Sequence, residues 1–317
     1  MIFASAMLVA MAVDCVMGWP AAIYRRIGHP VTWIGALIRR LDMAMNREID
    51  TDLTRRILGV LAAMITVSVA ALAGFVVQFL LPGGWLGALC IGVLAWPLVA
   101  LRSMHDHVAA VAKPLIAGDL DGARYAVSMI VGRDPSVLDT AGVARAGLES
   151  LAENTSDGII APLFWGAIFG LPGIAAYKAI NTLDSMIGHR TPRHNAFGWA
   201  SARIDDLVNL APARLTGVLF AVASDRPRAS LSVMWHDASQ HRSPNAGWPE
   251  SALAGALNIR LSGPRVYHDH IADEPWLNGV APDPVPQDIA RGLSLYRRAM
   301  ALAAGLLAAI AGLVALV

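Results

Sequence analysis

The chain has 317 residues, of which 56% are hydrophobic and only 15% charged, and its formal net charge is +1. An apolar excess of this size lies well outside the composition of soluble domains, and the near-neutral balance argues against a polyanionic partner such as nucleic acid. The two cysteines, Cys15 and Cys90, both sit in apolar runs, so neither a disulfide framework nor a thiolate metal site is indicated.

The first predicted span covers residues 1–24; it lacks a basic leader and a small-residue cleavage site, so it reads as a retained crossing rather than a signal peptide. Residues 25–56 carry seven arginines (Arg25, Arg26, Arg39, Arg40, Arg47, Arg55, Arg56) against four acids, which puts this connection on the cytoplasmic side. Two uncharged runs follow, 57–81 and 83–101, each long enough to cross a hydrocarbon layer of about 30 Å as a helix. In the long middle of the chain, 158–177 and 207–223 are moderately apolar but contain helix breakers, and read either as full crossings or as re-entrant segments. Residues 224–298 read as a polar cytoplasmic loop region and 299–317 as the last span. The expected architecture is all-α: a polytopic integral membrane protein of four to six membrane segments, forming a single membrane-embedded domain over residues 1–317.

Three polar clusters adjoin the apolar segments. In "LESLAENTSDGII", Glu149, Glu153 and Asp157 recur every four residues, with Asn154 and Ser156 between them. Such a stripe keeps to one helical face with a drift of about 80°, and its ordinary reading is a solvated face. In "YKAINTLDSMIGHR", Lys178, Asn181, Asp184 and Ser185 follow helical spacing, and His189 and Arg190 come after a glycine that ends the helix. In "ARIDDLVNLAPAR", Asp205 and Asp206 precede Asn209 by one turn, flanked by Arg203 and Arg214. Hard oxygen donors beside arginines suit Mg²⁺ with phosphate. Ionisable groups at membrane depth or at its edge are functional candidates, Asp14 in the first span among them.

The strings "GHPVTWIGALI", "AENTSDGIIAPLFWGAIFGLPGIAAYKAINTLDSMIGHR", "FGWASARIDDLVNLAPARLTG" and "SPNAGWPESALAGALNIRLSGP" occur in this order over nearly the whole chain. In them the sequence resembles the CobD/CbiB family of cobalamin biosynthesis, the membrane-bound adenosylcobinamide-phosphate synthases. One departure is "GWP" at Gly18–Pro20, where the family has Gly-Asp-Pro. The resemblance implies an ATP- and Mg²⁺-dependent ligation of adenosylcobyric acid to aminopropanol or its phosphate. The chain carries no glycine-lysine phosphate loop, so nucleotide must be held in another way.

On that resemblance, Asp205, Asp206 and Asn209 are expected to hold Mg²⁺ together with Asp157 or Asp184. Lys178, Arg190, Arg203 and Arg214 are expected to face phosphates, with Asn154 and Asn181 among the cofactor contacts, and Asn245 to order a loop over the substrate. The expected general base is Glu153 or His189, the imidazole being the group whose ordinary pKa suits neutral pH. The expected location is the cell inner membrane with the active site facing the cytoplasm, the lipid bilayer as partner, and contacts with other corrinoid-pathway membrane enzymes or a homo-oligomer in view. A non-catalytic corrinoid-binding scaffold or transporter, and a two-metal membrane phosphotransferase, are the competing readings.

Overall fold

A computed structural model describes residues 2–132, 134–266, 271–272 and 274–315. In chain order its helices are α1 (Ile2–Met17), α2 (Ala21–Ile27), α3 (Pro30–Met45), α4 (Asp52–Phe79), α5 (Gly84–Ala95), α6 (Leu101–Ile116), α7 (Leu120–Ser128), α8 (Thr140–Thr155), α9 (Ala161–Phe169), α10 (Leu171–Leu183), α11 (Trp199–Val208), α12 (Leu210–Ala223), α13 (Pro227–Asp237), α14 (Gly247–Leu257) and α15 (Pro286–Ala315). Two-residue strands form two antiparallel pairs, β1 (Leu261–Ser262) with β4 (Trp276–Leu277) and β2 (Arg265–Val266) with β3 (Ile271–Ala272). The chain divides into two compact units: Met1–Ala100 with Ala161–Asn209 and Leu307–Val317, and Leu101–Ile160 with Leu210–Leu306.

In the first unit α1 packs on α5 and α9, and α4 packs on α3, α10 and α11. The α4 helix starts where the Thr51 hydroxyl accepts the Thr54 amide at 3.3 Å, and Asp52 in its first turn complements the helix dipole. Ile38, Ala62, Ala63, Leu183, Ile187 and Phe197 form a buried core there. The 158–177 segment is broken at Gly170, which takes φ +70 between α9 and α10. A side chain there would meet the Gln78 carboxamide at 2.1 Å. That carboxamide oxygen accepts the Leu171 amide at 2.8 Å, so a side chain from α4 satisfies a backbone group that the break leaves open.

In the second unit α8 is buried at eleven of its 16 residues and packs on α6 and α14. The 224–298 region, expected as a polar loop, contains α13, α14 and the start of α15, and α14 is buried at every residue except Trp248. Its Ser, Ala and Gly residues lack the hydropathy of a span, yet their small size lets helices approach closely. Ser230 Oγ of α13 donates to the Ala252 carbonyl of α14 at 2.6 Å.

Among the described residues, Asp52–Phe79, Gly84–Ile116 and Pro286–Leu313 are long and apolar enough to cross a membrane. Two interrupted pairs, Phe3–Met17 with Ala21–Met45 and Trp199–Val208 with Leu210–Ala223, reach that standard only when each is taken together, for three to five candidate spans. The protein is all-α and polytopic, as expected. Two helix boundaries differ from those of the expected spans. The first helix stops at Met17, because Gly18 takes φ +55 and Pro20 follows, and the helical path resumes at Ala21 bent by 109°. The last helix begins at Pro286, well before residue 299, where the Asp288 carboxylate accepts the Val285 amide at 2.9 Å in the manner of a capping box.

Candidate functional site

The second and third sequence clusters meet in the first unit. α10 runs into a π-helical turn, Asp184–Gly188, on which α11 packs. A Cβ on Gly188 would lie 2.0 Å from Asp184 Oδ1, so the carboxylate rests directly on the glycine backbone. Burial pushes the Asp184 carboxyl above the usual carboxylate range; His189 opposes the shift and Asp206 adds to it. Asp206 in turn pairs with Arg203 at 2.9 Å and lies within electrostatic reach of Arg190. Asp184, Asp206, His189, Arg190 and Arg203 thus form one mixed-charge face, with both carboxylates half-buried and the three basic groups exposed.

The neighbouring residues Asp205 and Asp206 do not act together, because adjacent helical positions point about 100° apart. Asn209 Nδ2 donates to Asp205 Oδ2 at 3.0 Å, and Tyr177 donates its hydroxyl to Asn209 Oδ1 at 2.9 Å. The Asn209 oxygen expected on a metal is therefore engaged by a fully buried tyrosine, in a chain that closes the end of α11. Among the described residues no group of three or more His, Cys, Asp or Glu is disposed to hold a metal ion. The pair Asp184 and Asp206 is what remains close to the basic groups. Two carboxylates fit Mg²⁺ when phosphate oxygens and water complete its shell.

Other members of these clusters face elsewhere. Lys178 lies within electrostatic reach of His29, the N-cap of α3, whose ring stands edge-on to Trp19 at 5.1 Å. Ser185 Oγ donates to the Asn181 carbonyl at 2.8 Å, so the hydroxyl is turned back into its own helix.

A clamp that sequence reasoning missed fixes the loop carrying His189 and Arg190. Asp42 on α3 accepts Arg193 Nη2 at 2.9 Å and Asn46 Nδ2 at 2.8 Å. Asn46 also donates to the Arg193 carbonyl at 3.0 Å and accepts the buried Arg55 Nε at 2.9 Å. His194 Nε2 stands 3.5 Å from the same Asp42 carboxylate. The only sequence signal was the basic pair Arg193-His194 directly after "GHRTP".

The acidic stripe belongs to the second unit and is not one uniform face. Glu149 is buried and accepts the Ser262 amide at 2.8 Å, Glu153 is exposed, and Asp157 is half-buried in a second π-helical turn, Ser156–Ile160. Asn154 Nδ2 donates to the Ser150 carbonyl at 2.9 Å. Arg214, expected to face phosphate, lies 4.2 Å over the Trp248 ring and donates to the Leu210 carbonyl at 2.7 Å. Asn245 is buried, and its backbone amide donates to Ser243 Oγ at 3.2 Å, in a turn between His241 and Glu250. The Ser243 amide donates to His241 Nδ1 at 3.0 Å, which assigns the ring proton to Nε2, 3.8 Å from the Glu250 carboxylate. Neither His241 nor Glu250 was singled out from sequence.

The profile of the family described as CobD/Cbib protein matches residues 7–296. The chain is 68% identical over 299 residues to a "Cobalamin biosynthesis protein CobD" of Rhodobacter capsulatus, covering 94% of each chain. Proteins of the same description from Sinorhizobium fredii and Brucella melitensis are 45% identical over 280 residues (86% of each chain) and 44% identical over 308 residues (95% of this chain, 94% of the relative). No solved structure matches.

Proposed function

The chain belongs to the CobD/CbiB family of cobalamin biosynthesis proteins, and from that premise we propose that it is an ATP-dependent ligase joining adenosylcobyric acid to aminopropanol or its phosphate. The observation that carries this reading is the mixed-charge face of Asp184, Asp206, His189, Arg190 and Arg203. Amide formation requires an activated carboxylate. The corrinoid carboxylate oxygen attacks the γ-phosphorus of ATP and ADP leaves; the amine nitrogen then attacks the acyl carbon, phosphate leaves, and the amine proton passes to a base.

Each residue takes a role that its surroundings favour. Arg190 and Arg203, exposed and cationic, orient the phosphates and offset the charge that develops on transfer. His189 accepts the amine proton, being the exposed titratable group beside Asp184. In this reading Asp184 and Asp206, electrostatically coupled and half-buried beside the arginines, would hold Mg²⁺, and the ion when bound would supply neutralisation of the nucleotide's phosphate charge. The clamp through Asp42, Asn46 and Arg55 positions the His189–Arg190 loop. It also ties that loop to the arginine-rich 25–56 segment, which supports a cytoplasmic orientation in the inner membrane by the positive-inside rule.

Purified protein incubated with adenosylcobyric acid, Mg-ATP and each amine is expected to release ADP only when both cosubstrates are present, with the amide product seen by mass spectrometry. A protein that consumes no nucleotide with either amine is not this ligase.

A further inference from the structure

Two helices of the second unit change from apolar to charged at one level. The α15 helix turns apolar at Ala299, directly after Arg297 and Arg298, and Leu302 and Leu306 beyond them are exposed. The candidate span Gly84–Ile116 carries no charge up to Leu101 and meets Arg102 at the next position. Tyr296 donates its hydroxyl to the Leu101 carbonyl at 2.7 Å, so the two changes fall side by side. An apolar run of membrane length places its first charged neighbours among the headgroups. Two such runs agree on where that layer meets the second unit.

A third segment is tied to the same level. Arg298 donates to Asp225 through Nη1 at 2.7 Å and Nη2 at 3.4 Å, which holds the junction of α12 and α13 there. Arg226 follows Asp225 directly, and Arg228, in the first turn of α13, is within about 10 Å of it along the backbone. Arg226, Arg228 and Arg297 are exposed, and their guanidinium groups enter no ion pair or hydrogen bond among the described residues. The acids beside them are engaged, Asp225 by Arg298 and Asp106 by Arg102 at 3.5 Å. The α13 helix also starts without a side-chain cap, so its positive end adds to the same field.

We infer that this end of the second unit is a docking surface for the anionic headgroup layer of the bilayer, with Arg226, Arg228 and Arg297 as its phosphate contacts. The partner follows from position and charge: uncompensated guanidinium groups level with the start of two apolar runs meet lipid phosphates first, and a negatively charged leaflet attracts each of them. A zwitterionic surface carries its own cation beside every phosphate and leaves that attraction out. The surface is independent of whether the chain acts as a ligase.

The full-length protein in nanodiscs of phosphatidylglycerol or of phosphatidylcholine, treated with phenylglyoxal and read by peptide mass spectrometry, tests this without altering the chain. The reagent modifies accessible guanidinium groups. Arg226, Arg228 and Arg297 are each expected to react about fivefold more slowly in phosphatidylglycerol. Arg124, paired with Asp121 on α7, serves as the reference and is expected to react alike in both lipids. Inorganic phosphate added to the phosphatidylcholine nanodiscs separates a lipid surface from a free anion, and is expected to slow none of the three. Equal rates at the three arginines in the two lipids, or the same slowing by free phosphate, overturns the assignment.

Discussion

The two units each gather arginines and aspartates, but to opposite effect. In the second unit Asp283 accepts both Arg145 and Arg260, and the two guanidinium groups lie 4.6 and 4.2 Å over the Trp276 ring. Hydrogen bonding from Arg260, with Arg145 adding to it, holds the Asp283 carboxyl below the usual range. In the first unit burial raises Asp184, and the nearby Asp206 adds to that rise while the basic groups around them stay exposed. A depressed carboxylate marks charges already answered within the fold. A raised one beside exposed cations is a pattern shared with working sites, and it is on this pattern that the proposed function rests.

The largest expected effect comes from breaking the first-unit face. Asp206→Asn and Asp184→Asn are each expected to lower ligation turnover by about 10²- to 10³-fold. Thermal midpoints should be unchanged for the first and unchanged or raised for the second, since an ionised carboxylate at 184 is disfavoured by burial. A fall in midpoint with turnover per folded molecule intact would place the face among structural ion pairs instead. Gly188→Ala, which drives a methyl into Asp184 Oδ1 at 2.0 Å, should cost activity in the same assay, because the carboxylate has to move.

The converse is expected in the second unit. Trp276→Ala should destabilise by about 2 kcal/mol in chemical unfolding while leaving turnover per folded molecule near the wild type. Asp283→Asn should cost about 1 kcal/mol at neutral pH, because solvent screens a partly exposed pair. Its folded-state pKa is depressed, so that contribution is present above the ordinary carboxylate value near 3.8 and is lost as pH falls through the folded-state pKa. The stability gap between wild type and Asp283→Asn should therefore close on acidification below about pH 4, and a gap that widens there contradicts the pairing. The smallest effect is expected for Arg214→Lys, where loss of guanidinium stacking on Trp248 should cost about 0.5 kcal/mol.

Much of this was legible in the chain because it depends on local composition. The uncharged run inside α4, the breakers within 158–177, and the dense "YKAINTLDSMIGHR" and "ARIDD" strings were all visible, whereas the break at Gly18 and Pro20 falls inside the expected first span. Their pairing was not. Asp205 and Asp206 look equivalent in sequence, yet one is tied through Asn209 to Tyr177 and the other faces Arg203. Similarly, α14 could not be read as a buried helix, because Ala, Gly and Ser carry little hydropathy and reveal themselves only through close packing.

What the amino-acid order determined by itself was the solvent of each segment, since charge-free runs of membrane length partition into lipid whatever their neighbours are. It also determined the chemistry on offer, as strings of acids and bases at helical spacing beside those runs. Which of those groups are neighbours was decided by tertiary structure. Glu149 meets a backbone amide 113 positions away and Gln78 caps a helix 93 positions away, and a desolvated carboxylate or an open amide takes whatever partner folding brings within about 3 Å.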